Sequence, residues 1–133
     1  MLLLDTHVLD WMMLMPQRLG QRTQKLIERA LLQGELCVSA LSFWEMAQHV
    51  NGGKIRLNLS MDAWRSQVLE LGVREIPLDG AMAIRADGLL GAHKDPGDRF
   101  IAATALACNA TLVTADAVLL NWKSPLKRQN ATL

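Results

Sequence analysis

The sequence of 133 residues contains no apolar run long enough to cross a membrane as a helix. Its early hydrophobic stretches, Met1 to Leu4 and Val8 to Met15, are interrupted by Asp5, His7 and Asp10. A signal peptide does not fit that pattern either, so the chain is expected in the cytoplasm. Cysteine is scarce. Cys37 falls in an apolar, strand-like run and Cys108 in a helix of small residues. A free thiol in such places behaves as a small buried hydrophobe, which argues against a disulfide framework or a zinc site. Net charge is nearly absent as well: at +1 there is no global field to draw in a polyanion. Arg18, Arg22, Lys25 and Arg29 recur on one predicted helix and read as a solvated face, so any nucleic-acid site has to be local. No internal repeat or low-complexity stretch is visible. What is present, 50% hydrophobic and 20% charged residues, is the balance of a compact protein. The length suits a single domain, residues 1–133, with a core of its own.

Four short apolar runs stand out: Leu2-Leu3-Leu4, Leu36-Cys37-Val38, Val73 to Ile76 and Thr111-Leu112-Val113. Runs of that length suit strands of a parallel sheet covered on both faces. Between them the period becomes helical. Met61, Trp64, Val68 and Leu71 mark one stripe, and Leu26, Ile27, Ala30 and Leu31 another. Alternation of strand and helix predicts right-handed crossovers and an α/β fold: a three-layer sandwich around a mostly parallel sheet of four or five strands. Asn51-Gly52-Gly53 reads as the turn ending a helix that starts near Leu41, and Asp95-Pro96-Gly97 as the start of another. After Asn121 the pattern fades, and residues from about 122 onward are expected to fray, with a fifth strand left open.

In an open parallel sheet, ligands bind beyond the carboxyl ends of the strands, and here those positions are repeatedly acidic. Asp5 closes the first strand. Glu45 lies one helical turn past the second, Asp98 opens the helix after Pro96, and Asp116 follows Val113-Thr114-Ala115. Each has an ordinary explanation in helix capping: Ser42-Phe43-Trp44-Glu45 matches a capping box, and Asp95 precedes an N1 proline with Asp98 at N3. Capping does not require four acids at one sheet edge. Two carboxylates about 4 Å apart repel by about 4 kcal/mol at an effective dielectric of about 20, so a cluster needs protons or cations. All four donors are hard oxygens, which favours magnesium or manganese over zinc or copper. Such ions lower the pKa of water and polarise a phosphoryl group, the chemistry of phosphodiester hydrolysis.

Four motifs, in order, resemble the PIN-domain family, and within it the VapC-like toxins of type II toxin-antitoxin systems. They are Leu3-Leu4-Asp5-Thr6-His7, Ser42-Phe43-Trp44-Glu45-Met46-Ala47, the segment from Asp95 to Ala103, and Leu112-Val113-Thr114-Ala115-Asp116. Gly53-Lys54-Ile55 followed by Leu57 resembles the segment that trails the second motif in this branch. The resemblance implies a metal-dependent endoribonuclease that blocks translation. Its metal-holding and catalytic acids would be Asp5, Glu45, Asp98 and Asp116, with one or two Mg2+ or Mn2+ ions. Thr6 and Thr114 would orient a ligand or water, Arg99 would neutralise acids or touch phosphate, and Asp95 would serve as a helix cap. It implies three partners: an RNA substrate, a cognate antitoxin that blocks the acidic pocket, and a second copy of the chain in a homodimer.

Three features depart from the family pattern. Gly97 stands where a bulky apolar residue is usual, Gln48-His49 replaces a stretch that often carries lysine, and no hydrophobic strand follows Asp116. These departures support an alternative, a PIN fold that binds RNA or a protein without cutting. A third reading, a receiver-like module built on Asp79, lacks a partnering lysine. His7, His49 and His93 have no obvious partners and are expected in surface or capping roles. The run from Trp11 to Met15 exceeds what one core-facing stripe needs, so it is either buried throughout or a surface for a protein partner.

Overall fold

The computed structural model describes residues 1–89 and 94–133; His93 lies outside the described residues. Five strands, β1 (Leu2–Leu4), β2 (Leu36–Ser39), β3 (Arg74–Ile76), β4 (Thr111–Thr114) and β5 (Lys127–Asn130), form one sheet in the order β3-β2-β1-β4-β5. Every pairing is parallel. Leu3 is level with Cys37 on one side and Leu112 on the other, and Leu4 with Val38 and Val113.

Because side chains alternate along a strand, that register sorts the core into two layers. Leu4, Val38 and Val113 face a cluster filled by α1 (Thr6–Leu14), α2 (Gln21–Leu32), α3 (Ala40–Asn51) and α4 (Met61–Glu70). Leu3, Cys37 and Leu112 face the other, filled by α6 (Pro96–Ala107) and α7 (Ala117–Asn121); α5 (Gly80–Asp87) packs on α6. The expected three-layer architecture is therefore the one observed. Trp64 and Val68 are buried as the α4 stripe requires, whereas Leu71 caps that helix and stays exposed.

Several expectations are corrected. Ser42 does not cap α3. Ser39 does, its hydroxyl accepting from the Leu41 N–H, so the helix begins at Ala40 and Ser42 is buried inside it. Arg18 does not share a helix with Arg22, Lys25 and Arg29. It sits on a short 3-10 turn (Pro16–Arg18), and Gly20 separates that turn from α2. The polar C-terminal segment pairs rather than frays: β5 lies beside β4, the Ala131 N–H bonds the Thr114 carbonyl, and Leu126, Gln129 and Ala131 are buried. Apolar periodicity could not reveal this strand, because its sequence, Lys127-Arg128-Gln129-Asn130, is polar throughout and fits only a sheet edge. Its end also seats α2, as the Gly20 and Thr23 N–H groups donate to the Ala131 and Leu133 carbonyls. Gly20 offers that helix no side-chain cap of its own.

Candidate metal centre

β1, β2 and β4 run almost directly into helices, so three helix N-termini open at the carboxyl edge of the sheet. The sequence places acids at or near these turns. Asp5 is the cap between β1 and α1, buried, with its Oδ1 accepting the Thr6 N–H at 2.8 Å. Its Oδ2 accepts the Thr114 hydroxyl at 2.7 Å, and the Thr114 oxygen in turn accepts the Asp116 N–H at 3.0 Å. Asp116 caps α7 through the Val118 and Leu119 N–H groups. One hydroxyl thus ties the turn after β4 to the acid after β1.

Glu45 projects from the second turn of α3 and is part-buried. Its Oε1 accepts the Thr6 hydroxyl at 2.7 Å, and Ser42 stands 2.9 Å from the same hydroxyl. Burial raises the Glu45 pKa, the Thr6 bond opposes that, and the charges of Asp5 and then Asp95 raise it further. Asp95 caps α6 by accepting the Gly97 N–H at 2.9 Å, and Asp98 stands in the first turn of that helix. Both keep polar or electrostatic partners in the fold. The departure at Gly97 acquires a reason here: a Cβ at that position would stand 2.9 Å from Glu45 Oε2 and 3.3 Å from Asp95 Oδ1. Glycine lets α6 come up against the glutamate.

Asp10, an acid outside the motif set, belongs to the same group. It lies one turn along α1 from Thr6, is 4% exposed, and its Oδ1 has no hydrogen-bond partner among the described residues. Burial, then Glu45, then Asp5 raise its pKa to about 7. It interrupts the apolar run from Val8 to Met15, and that interruption was the available signal. His7, which sequence reading left without a partner, has two. Its Nε2 accepts the Ala115 N–H at 3.0 Å, and its Nδ1 lies 3.5 Å from Asp5 Oδ2. Asp79 proves to be the cap of α5. Arg99 lines a cavity of about 230 Å³ with Pro96, Phe100 and Asp87, its Nε buried without a partner among the described residues.

As the side chains stand, no three His, Cys, Asp or Glu groups among the described residues are close enough to hold an ion as a set. The donors nevertheless suit one. They are hard oxygens from four elements, Asp10 Oδ1 beside them is buried without a proton donor among the described residues, and Gly97 leaves room beside Glu45 that a Cβ would fill.

A family model described as PIN domain matches residues 2–122, and the chain belongs to the PIN-domain family. Within it the likeness is to VapC-like members. Ribonuclease VapC22 of Mycobacterium tuberculosis is 36% identical over 124 residues, 92% of each chain. Among solved structures, VapBC-1 from nontypeable Haemophilus influenzae shares the fold with a TM-score of 0.68 at 20% identity, over 99% of this chain and 98% of that one. FitAcB from Neisseria gonorrhoeae does so at 0.63 and 22% identity, over 98% of each.

Proposed function

We propose that this chain is an endoribonuclease and the toxin of a toxin-antitoxin pair, cutting RNA with Mg2+ or Mn2+ held by Asp5, Glu45, Asp98 and Asp116. The observation that carries the reading is the convergence of Asp5 and Glu45, from separate elements, on the Thr6 and Thr114 hydroxyls at the carboxyl edge of the sheet. The ribonuclease named among its relatives supports it. One or two ions there would supply Lewis acidity toward the phosphoryl group and a nucleophilic water near neutral pH.

The chain's own residues do the rest. Thr114 and Thr6 each spend their proton on a carboxylate, which fixes one oxygen of Asp5 and one of Glu45 in direction. His7 pins the turn after β4 to α1, so that Asp116 cannot drift from Asp5. Arg99, one residue past Asp98, is a cation for phosphate or for neighbouring acids. In hydrolysis the water oxygen bonds to phosphorus while the ester P–O bond breaks, and the leaving ribose oxygen takes up a proton.

No helix among the described residues is long and apolar enough to cross a membrane. The run from Trp11 to Met15 is only partly buried, with Leu14 40% exposed, and offers apolar surface to an antitoxin or to a second copy in a homodimer. The test is cleavage of purified total RNA in magnesium or manganese, with and without chelator, by the parent chain and an identically purified Asp5→Asn preparation. Discrete fragments that vanish with chelator and with the substitution are expected. Identical behaviour of the two proteins overturns the reading and leaves a PIN fold that binds without cutting.

A further inference from the structure

Taking a carboxylate out of water costs free energy unless a proton, a hydrogen-bond donor or a cation stands against it. Asp10 is 4% exposed, and its Oδ1 is buried without a hydrogen-bond partner among the described residues. The ion pairs there, Met1 with Glu35, His7 with Asp5 and Arg65 with Glu75, do not include it. Its neighbours on α1, Val8 and Leu9, show the kind of side chain that such a buried position ordinarily takes.

The place of Asp10 on the helix gives this oxygen a direction. It lies one turn along α1 from Thr6, and residues four apart share a helix face. Thr6 is the residue whose N–H donates to Asp5 Oδ1 and whose hydroxyl donates to Glu45 Oε1. The charges that act on Asp10 are those of the same two acids, Glu45 and then Asp5. Asp10 therefore backs the candidate metal centre from behind Thr6. No three acids among the described residues are close enough to hold an ion as a set, so Asp10 is placed to act on one through an intervening water rather than as a ligand. Magnesium gives up its waters reluctantly and keeps several, whose protons need acceptors.

We propose that Asp10 is a positioning residue of the metal centre: it accepts a hydrogen bond from a water of the bound ion and so sets how tightly the ion is held. The inference rests on the metal-dependent reading above and adds a fifth acid that none of the four motifs contains. The residue that strains the ion-free fold steadies the loaded one, and these two effects have opposite signs. A carboxylate buried by packing alone would show only the first.

The experiment titrates metal-free protein with Mn2+ near pH 8 by isothermal titration calorimetry. It compares the parent chain, Asp10→Asn, Asp10→Leu, Asp5→Asn and Glu28→Gln, and records the Tm of each in chelator. Asp10→Asn is expected to weaken Mn2+ binding by about 10- to 100-fold while melting no lower than the parent in chelator. Asp10→Leu has no oxygen to offer and is expected to lose at least as much, which keeps the test decisive should the asparagine carbonyl still serve the water. Glu28→Gln removes the same charge from an exposed position on α2 and is expected to bind like the parent. Asp10 variants that bind Mn2+ as tightly as the parent overturn the inference, and so does an equal loss in Glu28→Gln, which would reduce the effect to net charge. If Asp5→Asn loses binding and the Asp10 variants do not, the four-acid reading stands without the fifth. If the Asp10 variants lose it and Asp5→Asn does not, the four-acid set fails and the ion belongs beside Asp10. A parent chain that binds no Mn2+ overturns both.

Discussion

Replacing Asp10 with asparagine isolates the electrostatic strain of the acid edge. The folded chain holds the Asp10 proton until about pH 7, whereas the ordinary value is 3.8. Between those two pH values the folded state therefore binds more protons than the unfolded one. The stability this confers is complete below about pH 3.8 and is lost as pH rises through about 7. A difference of about 3 units corresponds to up to about 4 kcal/mol. Asp10→Asn removes the titration and keeps the shape, so at pH 8 in chelator the variant should be the more stable by up to that amount. For a chain of this size this is on the order of 10 °C in Tm. Near pH 4 the two proteins should melt together. Thermal melts of both proteins from pH 4 to pH 8, followed by far-UV circular dichroism, measure this directly. An unchanged Tm difference across the range refutes the reasoning, since it would mean that the Asp10 carboxylate is paired or hydrated in the folded chain.

Other parts of the edge make their own predictions. Thr114→Val removes the hydroxyl that donates to Asp5 Oδ2 and accepts the Asp116 N–H, which should cost about 1–3 kcal/mol in denaturant melts and most of the RNA cleavage. Gly97→Leu brings a Cβ to within 2.9 Å of Glu45 Oε2, so magnesium is expected to raise the Tm of the parent chain and to raise that of the variant less, while the fold persists. Deleting residues 130–133 strips the carbonyls that receive the Gly20 and Thr23 N–H groups, and urea melts should show a loss of about 2 kcal/mol or more.

Much of this arrangement was legible in the sequence because the signals were local. Leu2 to Leu4 and Thr111 to Val113 announce buried strands by composition alone, and an acid just past each strand has one place to go in a parallel sheet. Asp95-Pro96 marks a helix start with equal economy, and the structure puts it there. The reading went astray where the outcome depends on contacts distant in sequence. Ser42 fits a capping box on paper, but Ser39 reaches the end of β2 first and takes the cap. β5 has no apolar pattern to read, since its stability comes from pairing with β4 and from carbonyls that cap α2. Asp10 and His7 look ordinary until α1 is laid against α3 and against the end of β4. The role of Gly97 is likewise invisible without knowing that Glu45 stands opposite.

Asp5, Asp95 and Asp116 each cap the helix that follows, and this has a consequence for how the edge behaves without an ion. The positive end of a helix dipole already lies against each of these carboxylates and acts as a built-in fraction of a counterion. Glu45 and Asp10 sit inside helices and have no such compensation. On the proposed reading, an arriving cation would do most for Glu45, whose burial no helix end offsets, and would share Asp5 and Asp116 with the helix ends they cap. An edge so balanced would hold an ion on loan, in exchange with the surrounding pool, and its output would follow the ion's free concentration.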